Sequence, residues 1–96
     1  MDHISRLCAW YESQTYEDWH EDYGIKIYNI DNPGWGLVVD LEHTSLENKN
    51  FVEMDIERSD TDWIAIRKSD GKFNAYGGPN NLKEMIEVFL EWSSST

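Results

Sequence analysis

The spacing of apolar residues changes twice along this chain, and this change constrains the possible folds more than any other feature. Near the amino terminus, Asp2 is a residue type that often caps helices. After it, the apolar residues are spaced as on one face of a helix: Ile4, Leu7, Cys8, Trp10 and Tyr11. The same spacing returns after a Gly-Gly-Pro break, with Asn80 or Asn81 as the cap, at Leu82, Met85, Ile86, Phe89 and Trp92. We therefore predict one amphipathic helix at each end, the first ending near Ser13.

Between these helices the apolar residues recur at every second position, which is typical of strands with one buried face. The clearest alternation is at Leu37, Val39 and Leu41 and again at Val52, Met54 and Ile56. Weaker runs start at Ile25, Ile64 and Phe73, and turn residues separate the runs at positions 31–34, 59–62 and 70–71. About five short antiparallel strands are predicted, in meander order as the simplest arrangement.

Two helices with one apolar stripe each need an apolar partner, and a sheet with one apolar face supplies it. We therefore predict an α+β fold in which both helices pack on the same face of the sheet. A chain of 96 residues buries only about two thirds of its unfolded surface. Residues 1–96 are thus expected to form a single domain.

The charge of the chain is strongly negative. Nineteen acidic residues against eight basic ones give a formal net charge of -11. Such a chain is unsuited to direct contact with nucleic acid or an anionic membrane, both of which attract clustered Lys and Arg. The negative electrostatic field of such a chain favours rapid association with a basic protein. Solubility alone is the simpler explanation of the charge, and composition does not distinguish solubility from binding to a basic protein.

The expected compartment is the cytoplasm. The first residues show no positive segment followed by an apolar run, and no stretch approaches the length that spans a membrane. Cys8 is the single cysteine, so it cannot form an internal disulfide, and its apolar neighbours predict a buried thiol.

No catalytic motif is found. His3, His20 and His43 are not spaced as metal ligands with one another or with Cys8, and no phosphate-binding loop or nucleophile motif occurs. We expect no catalytic residue, no cofactor and no metal site, and hence not an enzyme. A small hydrolase using paired carboxylates, such as Asp18 with Glu21, stays open as a less supported alternative.

The strand pattern predicts a row of carboxylates on the face opposite the helices: Asp40, Glu42, Glu53, Asp55 and Glu57. If the two strands formed a hairpin, these groups would be cross-strand neighbours, where like charges are destabilising. Tyr28, Trp63 and Tyr76 are predicted on the same face, which favours a protein-binding surface. Alternatively, a loop at residues 42–50 covers this face.

An acidic segment at residues 15–24 is the most unusual stretch, and we expect it to be a structured loop. Trp19, at its centre, is either a buried anchor or a contact residue. The predicted partner-binding set is Glu17, Asp18, Trp19, Glu21, Asp22, Asp40, Glu42, Glu53, Asp55, Glu57 and Trp63.

Several motifs together resemble the immunity protein 53 family of bacterial polymorphic toxin systems. They are Trp10-Tyr11, Asp18-Trp19, Tyr23-Gly24-Ile25-Lys26-Ile27, Asp31-Asn32-Pro33-Gly34-Trp35, Asp40-Leu41, Thr44-Ser45-Leu46, Asp62-Trp63, Gly77-Gly78-Pro79-Asn80-Asn81-Leu82 and Phe89-Leu90-Glu91-Trp92. The turn around Pro33 and its spacing from Tyr23 are the most specific. The resemblance spans nearly the whole chain, although His20 and Glu21 stand in the reverse of the family's order.

This resemblance implies a non-catalytic inhibitor that binds and blocks a cognate toxin domain. Combined with the negative charge, it predicts a basic toxin, for example a nuclease, whose active site is covered by an acidic surface. The alternative is an acidic nucleic-acid mimic or adaptor that binds basic host proteins in general. We expect a monomer or a weak dimer.

Overall fold

The computed structural model describes residues 2–95 and has the predicted α+β architecture. Helix α1 (His3–Ser13) is followed by a 3-10 turn (Tyr16–Asp18) and a short helix α2 (Trp19–Asp22). Five strands follow, namely β1 (Ile25–Ile30), β2 (Gly34–Asp40), β3 (Met54–Ser59), β4 (Asp62–Ser69) and β5 (Lys72–Gly77). The last element is helix α3 (Leu82–Ser94). The acidic segment is therefore more helical than the loop that the sequence predicted.

The sheet is antiparallel throughout, with strand order β1-β2-β5-β4-β3. It consists of two meander runs, β1 with β2 and β3 through β5. The predicted meander holds inside each run. Between the runs, residues 41–53 carry the chain from β2 to the far edge of the sheet. Consequently β2 and β3 are separated by β5 and β4.

Both long helices pack on one face of the sheet, as predicted. Asp2 caps α1, since its carboxylate accepts a hydrogen bond from the backbone N–H of Ser5 at 2.7 Å. Trp10 of α1 packs edge-to-face on Phe89 of α3, with ring centroids 5.0 Å apart. Phe89 in turn packs on Phe73 of the sheet at 5.1 Å. A continuous aromatic contact therefore joins the two helices to β5.

The core confirms the alternation read from the sequence. The largest fully buried side chains are Leu37, Val39, Leu41, Ile64, Ile66, Phe73, Met85, Ile86 and Phe89. Each contributes about 1.5–3 kcal/mol through removal of apolar surface from water.

Two predictions about the core are wrong. Val52 is 85% exposed, because β3 begins only at Met54 and Val52 lies outside the sheet. Cys8 is also exposed, because the buried stripe of α1 runs through Leu7 and Trp10 instead.

The long connection at residues 41–53 is held on the helix side of the sheet by two lysines. The ammonium group of Lys68 donates to the carbonyl oxygens of Leu46, Glu47 and Lys49 at 3.3, 2.7 and 2.7 Å. Lys49 in turn donates to the carbonyl oxygen of Trp92 at 2.7 Å. The connection does not cover the opposite sheet face, so that alternative is wrong.

That opposite face carries the predicted aromatic residues. Tyr28, Tyr76 and Trp63 share it, with Gly36 lying between the two tyrosines in register. The ring of Tyr28 lies directly over Gly36, where a β-carbon would approach it to 2.4 Å. Glycine at this position therefore allows Tyr28 to lie flat across the sheet.

Replacing Lys68 tests the lysine contacts. We expect Lys68→Met to lower the free energy of unfolding by about 1–3 kcal/mol, since three carbonyl oxygens lose a charged donor. Lys83→Met is the matched control, because Lys83 is exposed and its loss should change stability by less than about 0.5 kcal/mol. Urea unfolding of both variants measures the difference, and equal stabilities would contradict a structural role for Lys68.

Candidate partner-binding surfaces

The acidic segment at residues 16–22 is fixed to the body of the protein by Trp19. This side chain is 5% exposed, and its indole N–H donates to the carbonyl oxygen of Glu42 at 2.9 Å. Its ring stacks on Tyr23 at 6.0 Å and meets Trp10 edge-on at 6.1 Å. Of the two roles predicted for Trp19, the structure therefore supports the buried anchor. Its side chain is not available for the partner contact that was also predicted for it.

Around this anchor the backbone turns sharply and directs acidic side chains outward. Glu17 and Asp18 have φ angles of 55° and 62°, in the left-handed region that non-glycine residues rarely adopt. Both side chains are exposed, as are those of Glu21 and Asp22. The segment therefore presents four carboxylates on a surface whose base is buried.

Two more carboxylates reach the same end of the molecule from the end of β2. Asp40 accepts a hydrogen bond from the backbone N–H of Gly24 at 2.9 Å and forms an ion pair with Lys72 at 3.3 Å. Glu42 lies beside the hydroxyl of Tyr23, with 3.5 Å between the two oxygen atoms. Trp19 holds the backbone of Glu42 in this position.

The pKa of Tyr23 reflects this convergence. Burial raises the pKa of its phenol, and the negative charges of Glu42, Asp22 and Asp40 raise it further.

Glu17, Asp18 and Asp22 also line one cleft with Tyr23 and His43. We call this surface the acidic end and define it as Glu17, Asp18, Glu21, Asp22, Asp40 and Glu42. Within residues 2–95, only Asp40 of these six is in an ion pair.

The remaining predicted contact residues lie elsewhere. Glu53, Asp55 and Glu57, here called the edge row, lie on or just before β3, and Trp63 is opposite Glu57 on β4. Asp40, Asp55 and Glu57 share the open face of the sheet, as predicted. The prediction that they are neighbours in one row is wrong, because the 41–53 connection places β3 three strand positions from β2. At about 4.8 Å per position, the separation is roughly 14 Å.

Two residues of the edge row, Glu53 and Asp55, line a shallow groove. Arg67, Ala65 and Tyr76 line this groove together with Glu53 and Asp55. None of the three carboxylates forms an ion pair in the part of the chain that the structure describes. The sequence therefore predicted the acidic residues of two separate surfaces as though they were one.

Two side chains of the acidic end, together with the neighbouring His20, also have the chemistry of metal ligands. Ligand atoms of Asp18, His20 and Glu21 lie within 4.8 Å of one another. All three residues are exposed, and exposed acidic groups commonly lie together without an ion. This clustering alone does not indicate a metal centre, but it places His20 inside the acidic surface.

The family model described as immunity protein 53 matches residues 4–94, which is nearly the whole chain. The chain belongs to the immunity protein 53 family. Comparisons with curated proteins and with solved structures gave no match. Among residues 2–95, no helix is both long and apolar enough to cross a membrane.

Membership in an immunity protein family suggests that the protein neutralises a toxin partner. The acidic end is the larger of the two carboxylate groups and combines two chain segments. Tyr23, which joins them, was not among the predicted site residues. The sequence signals for it were its position directly after the acidic segment and its place in the Tyr23-Gly24-Ile25-Lys26-Ile27 motif.

Neutralising the acids around Tyr23 tests this geometry. Because nearby negative charge disfavours the phenolate, we expect Asp22→Asn and Glu42→Gln each to lower the pKa of Tyr23 toward the ordinary tyrosine value of about 10. Glu57→Gln, a matched change in the edge row, should leave it unchanged. Titration of the Tyr23 ring followed by NMR measures the shift, and an equal response to all three substitutions would contradict the proposed clustering.

Proposed function

We propose that this immunity protein neutralises a cognate toxin domain by binding a basic site on the toxin with its acidic end. The observation that carries this proposal is that three carboxylates lie around Tyr23: Glu42 is 3.5 Å from its hydroxyl, Asp22 lines the same cleft, and Asp40 accepts a hydrogen bond from the next residue, Gly24. Carboxylates gathered on one surface are complementary to clustered Lys and Arg. Nuclease active sites often provide such clusters because they hold phosphates.

The acidic end suits this role better than the edge row because the backbone that carries its groups is anchored to the core. Trp19 is buried beneath it. The backbone N–H of Gly24 donates to the side-chain carboxylate of Asp40, and the backbone N–H of Asp40 donates to the carbonyl oxygen of Gly24. A surface ordered before binding loses less conformational entropy when the partner arrives. The edge row comes from one stretch of chain at the sheet edge.

Occlusion of this kind requires no chemistry from the immunity protein itself. The net charge of -11 would steer a basic toxin toward the protein and raise the association rate. Because this steering acts through solvent, it would weaken as salt is added. The acidic end then determines the orientation in which the steered partner docks.

Two charge-reversal variants distinguish the surfaces. The first is Asp18→Lys, Glu21→Lys and Asp22→Lys in the acidic end, and the second is Glu53→Lys, Asp55→Lys and Glu57→Lys in the edge row. Both alter the net charge equally, so general steering changes by the same amount. We expect the first to slow association with the toxin domain encoded beside the immunity gene by roughly 10- to 100-fold more than the second.

Stopped-flow association measurements and survival of toxin-expressing cells provide the readouts, with circular dichroism to verify folding. A larger loss from the edge-row variant would contradict the role of the acidic end. Comparable affinity of the unaltered protein for several unrelated basic proteins would instead support a general adaptor.

A further inference from the structure

Strand β1 forms an unpartnered edge of the sheet whose composition differs from the rest of the molecule. Among residues 2–95, β1 pairs with β2 on one side and with no strand on the other. No acidic residue occurs from Tyr23 to Ile30, although the chain contains nineteen acids, and Lys26 is the one charged residue in this stretch. Proteins usually protect exposed edges with charge. The opposite edge, β3, is protected in this way by Asp55, Glu57 and Arg58.

The backbone of β1 presents three residues to the free edge. The N–H of Asp40 donates to the carbonyl oxygen of Gly24 at 3.0 Å. In an antiparallel pair, alternate residues point toward the same neighbour, so residues 26, 28 and 30 also face β2. The N–H and C=O groups of Ile25, Ile27 and Asn29 therefore point away from the sheet.

Apolar side chains accompany these free backbone groups. Ile27 is 41% exposed on the helix side, and Tyr28 is 39% exposed on the open side. Ile25 lines an apolar groove together with Leu7 and Tyr11. An exposed edge with apolar groups on both faces favours the addition of another strand.

We propose that β1 pairs with β1 of a second copy of this chain, which joins the two sheets into one ten-stranded antiparallel sheet. The outward residues are symmetric about Ile27. A two-fold axis at Ile27 therefore pairs Ile27 of one copy with Ile27 of the other, and Ile25 of each copy with Asn29 of the other. All six outward backbone groups of each strand would then be hydrogen bonded across the interface.

Charge distinguishes β1 from β3 as the edge at which a second copy can pair. In the register centred on Ile27, Lys26 lies opposite Tyr28 of the other copy, so its positive charge does not meet itself. Self-pairing of β3 would instead oppose Glu57 to itself or to Asp55, and like charges directly opposite are destabilising. The low charge of β1 also makes it the edge at which two chains of net charge -11 repel least.

The acidic ends remain free in this dimer. Each lies beyond the start of its own β1, next to Gly24, and antiparallel pairing places the two starts at opposite ends of the joint sheet. The two acidic ends are therefore about six residues apart along the strand direction, or roughly 20 Å. This exceeds the Debye length of about 8 Å at physiological ionic strength. The dimer would therefore expose both acidic ends to partners.

Substitution by proline tests the edge. Ile27→Pro removes an outward N–H and keeps the hydrogen bonds between β1 and β2, because residue 27 does not bond to β2. We expect sedimentation measurements over a range of concentrations to show twice the 11.3 kDa chain mass for the unaltered protein and the chain mass for Ile27→Pro. Asp55→Pro, at an outward position of β3, is the matched control and should stay dimeric.

Salt provides a second readout. Screening weakens the repulsion between two negative chains, so the dimer should tighten as ionic strength rises, whereas binding to a basic toxin should weaken. A chain that stays monomeric at millimolar concentration and high salt would overturn the proposal. Equal loss of the dimer in both proline variants would also overturn it.

The register is tested by cross-linking in a Cys8→Ser background. Residues paired with themselves across such an axis have Cα atoms about 5.5 Å apart, within disulfide range. Ile27→Cys should therefore form a cross-linked dimer under mild oxidation. Asn29→Cys should not, because position 29 lies opposite position 25. Preferential cross-linking through position 29 would overturn the register centred on Ile27.

Discussion

A single apolar layer between two helices and one face of the sheet determines the layout of this protein. Trp10, Phe89 and Phe73 are in contact through it, and it contains nearly all of the fully buried side chains. A domain of this size has room for one such layer. The charged groups must therefore lie on the open face, at the strand edges or at the ends of the strands. Both carboxylate surfaces arise from this constraint.

The acidic end shows how a polar surface is supported from within such a fold. Trp19 occupies an interior position, and the hydrogen bond from its indole to Glu42 links the acidic segment to the residues after β2. The crowded carboxylates repel one another, which lowers the stability of the compact state. Buried aromatic contacts beneath them offset that repulsion. Mutual repulsion of this kind would be relieved when a positively charged partner binds.

Sequence reasoning predicted local structure well and long-range arrangement less well. The helix periods, the turn at Pro33 and the alternation at Leu37 and Val39 are local patterns, and the structure confirms them. The distance between Asp40 and Asp55 depends on how residues 41–53 cross the sheet. Short-range alternation contains no information about that path. For the same reason, the meeting of Tyr23 with Glu42 could not be predicted.

The two lysines that hold the 41–53 connection also alter the charge balance that other molecules encounter. Lys49 and Lys68 direct their ammonium groups at backbone carbonyls, while Arg58 and Lys72 are bound to carboxylates of the same chain. Half of the eight basic residues are thus engaged internally. The excess of free anionic groups outside is therefore more one-sided than the composition suggests. Fewer cationic side chains are therefore left to bind the anionic groups of a partner, although the net charge of -11 is unchanged.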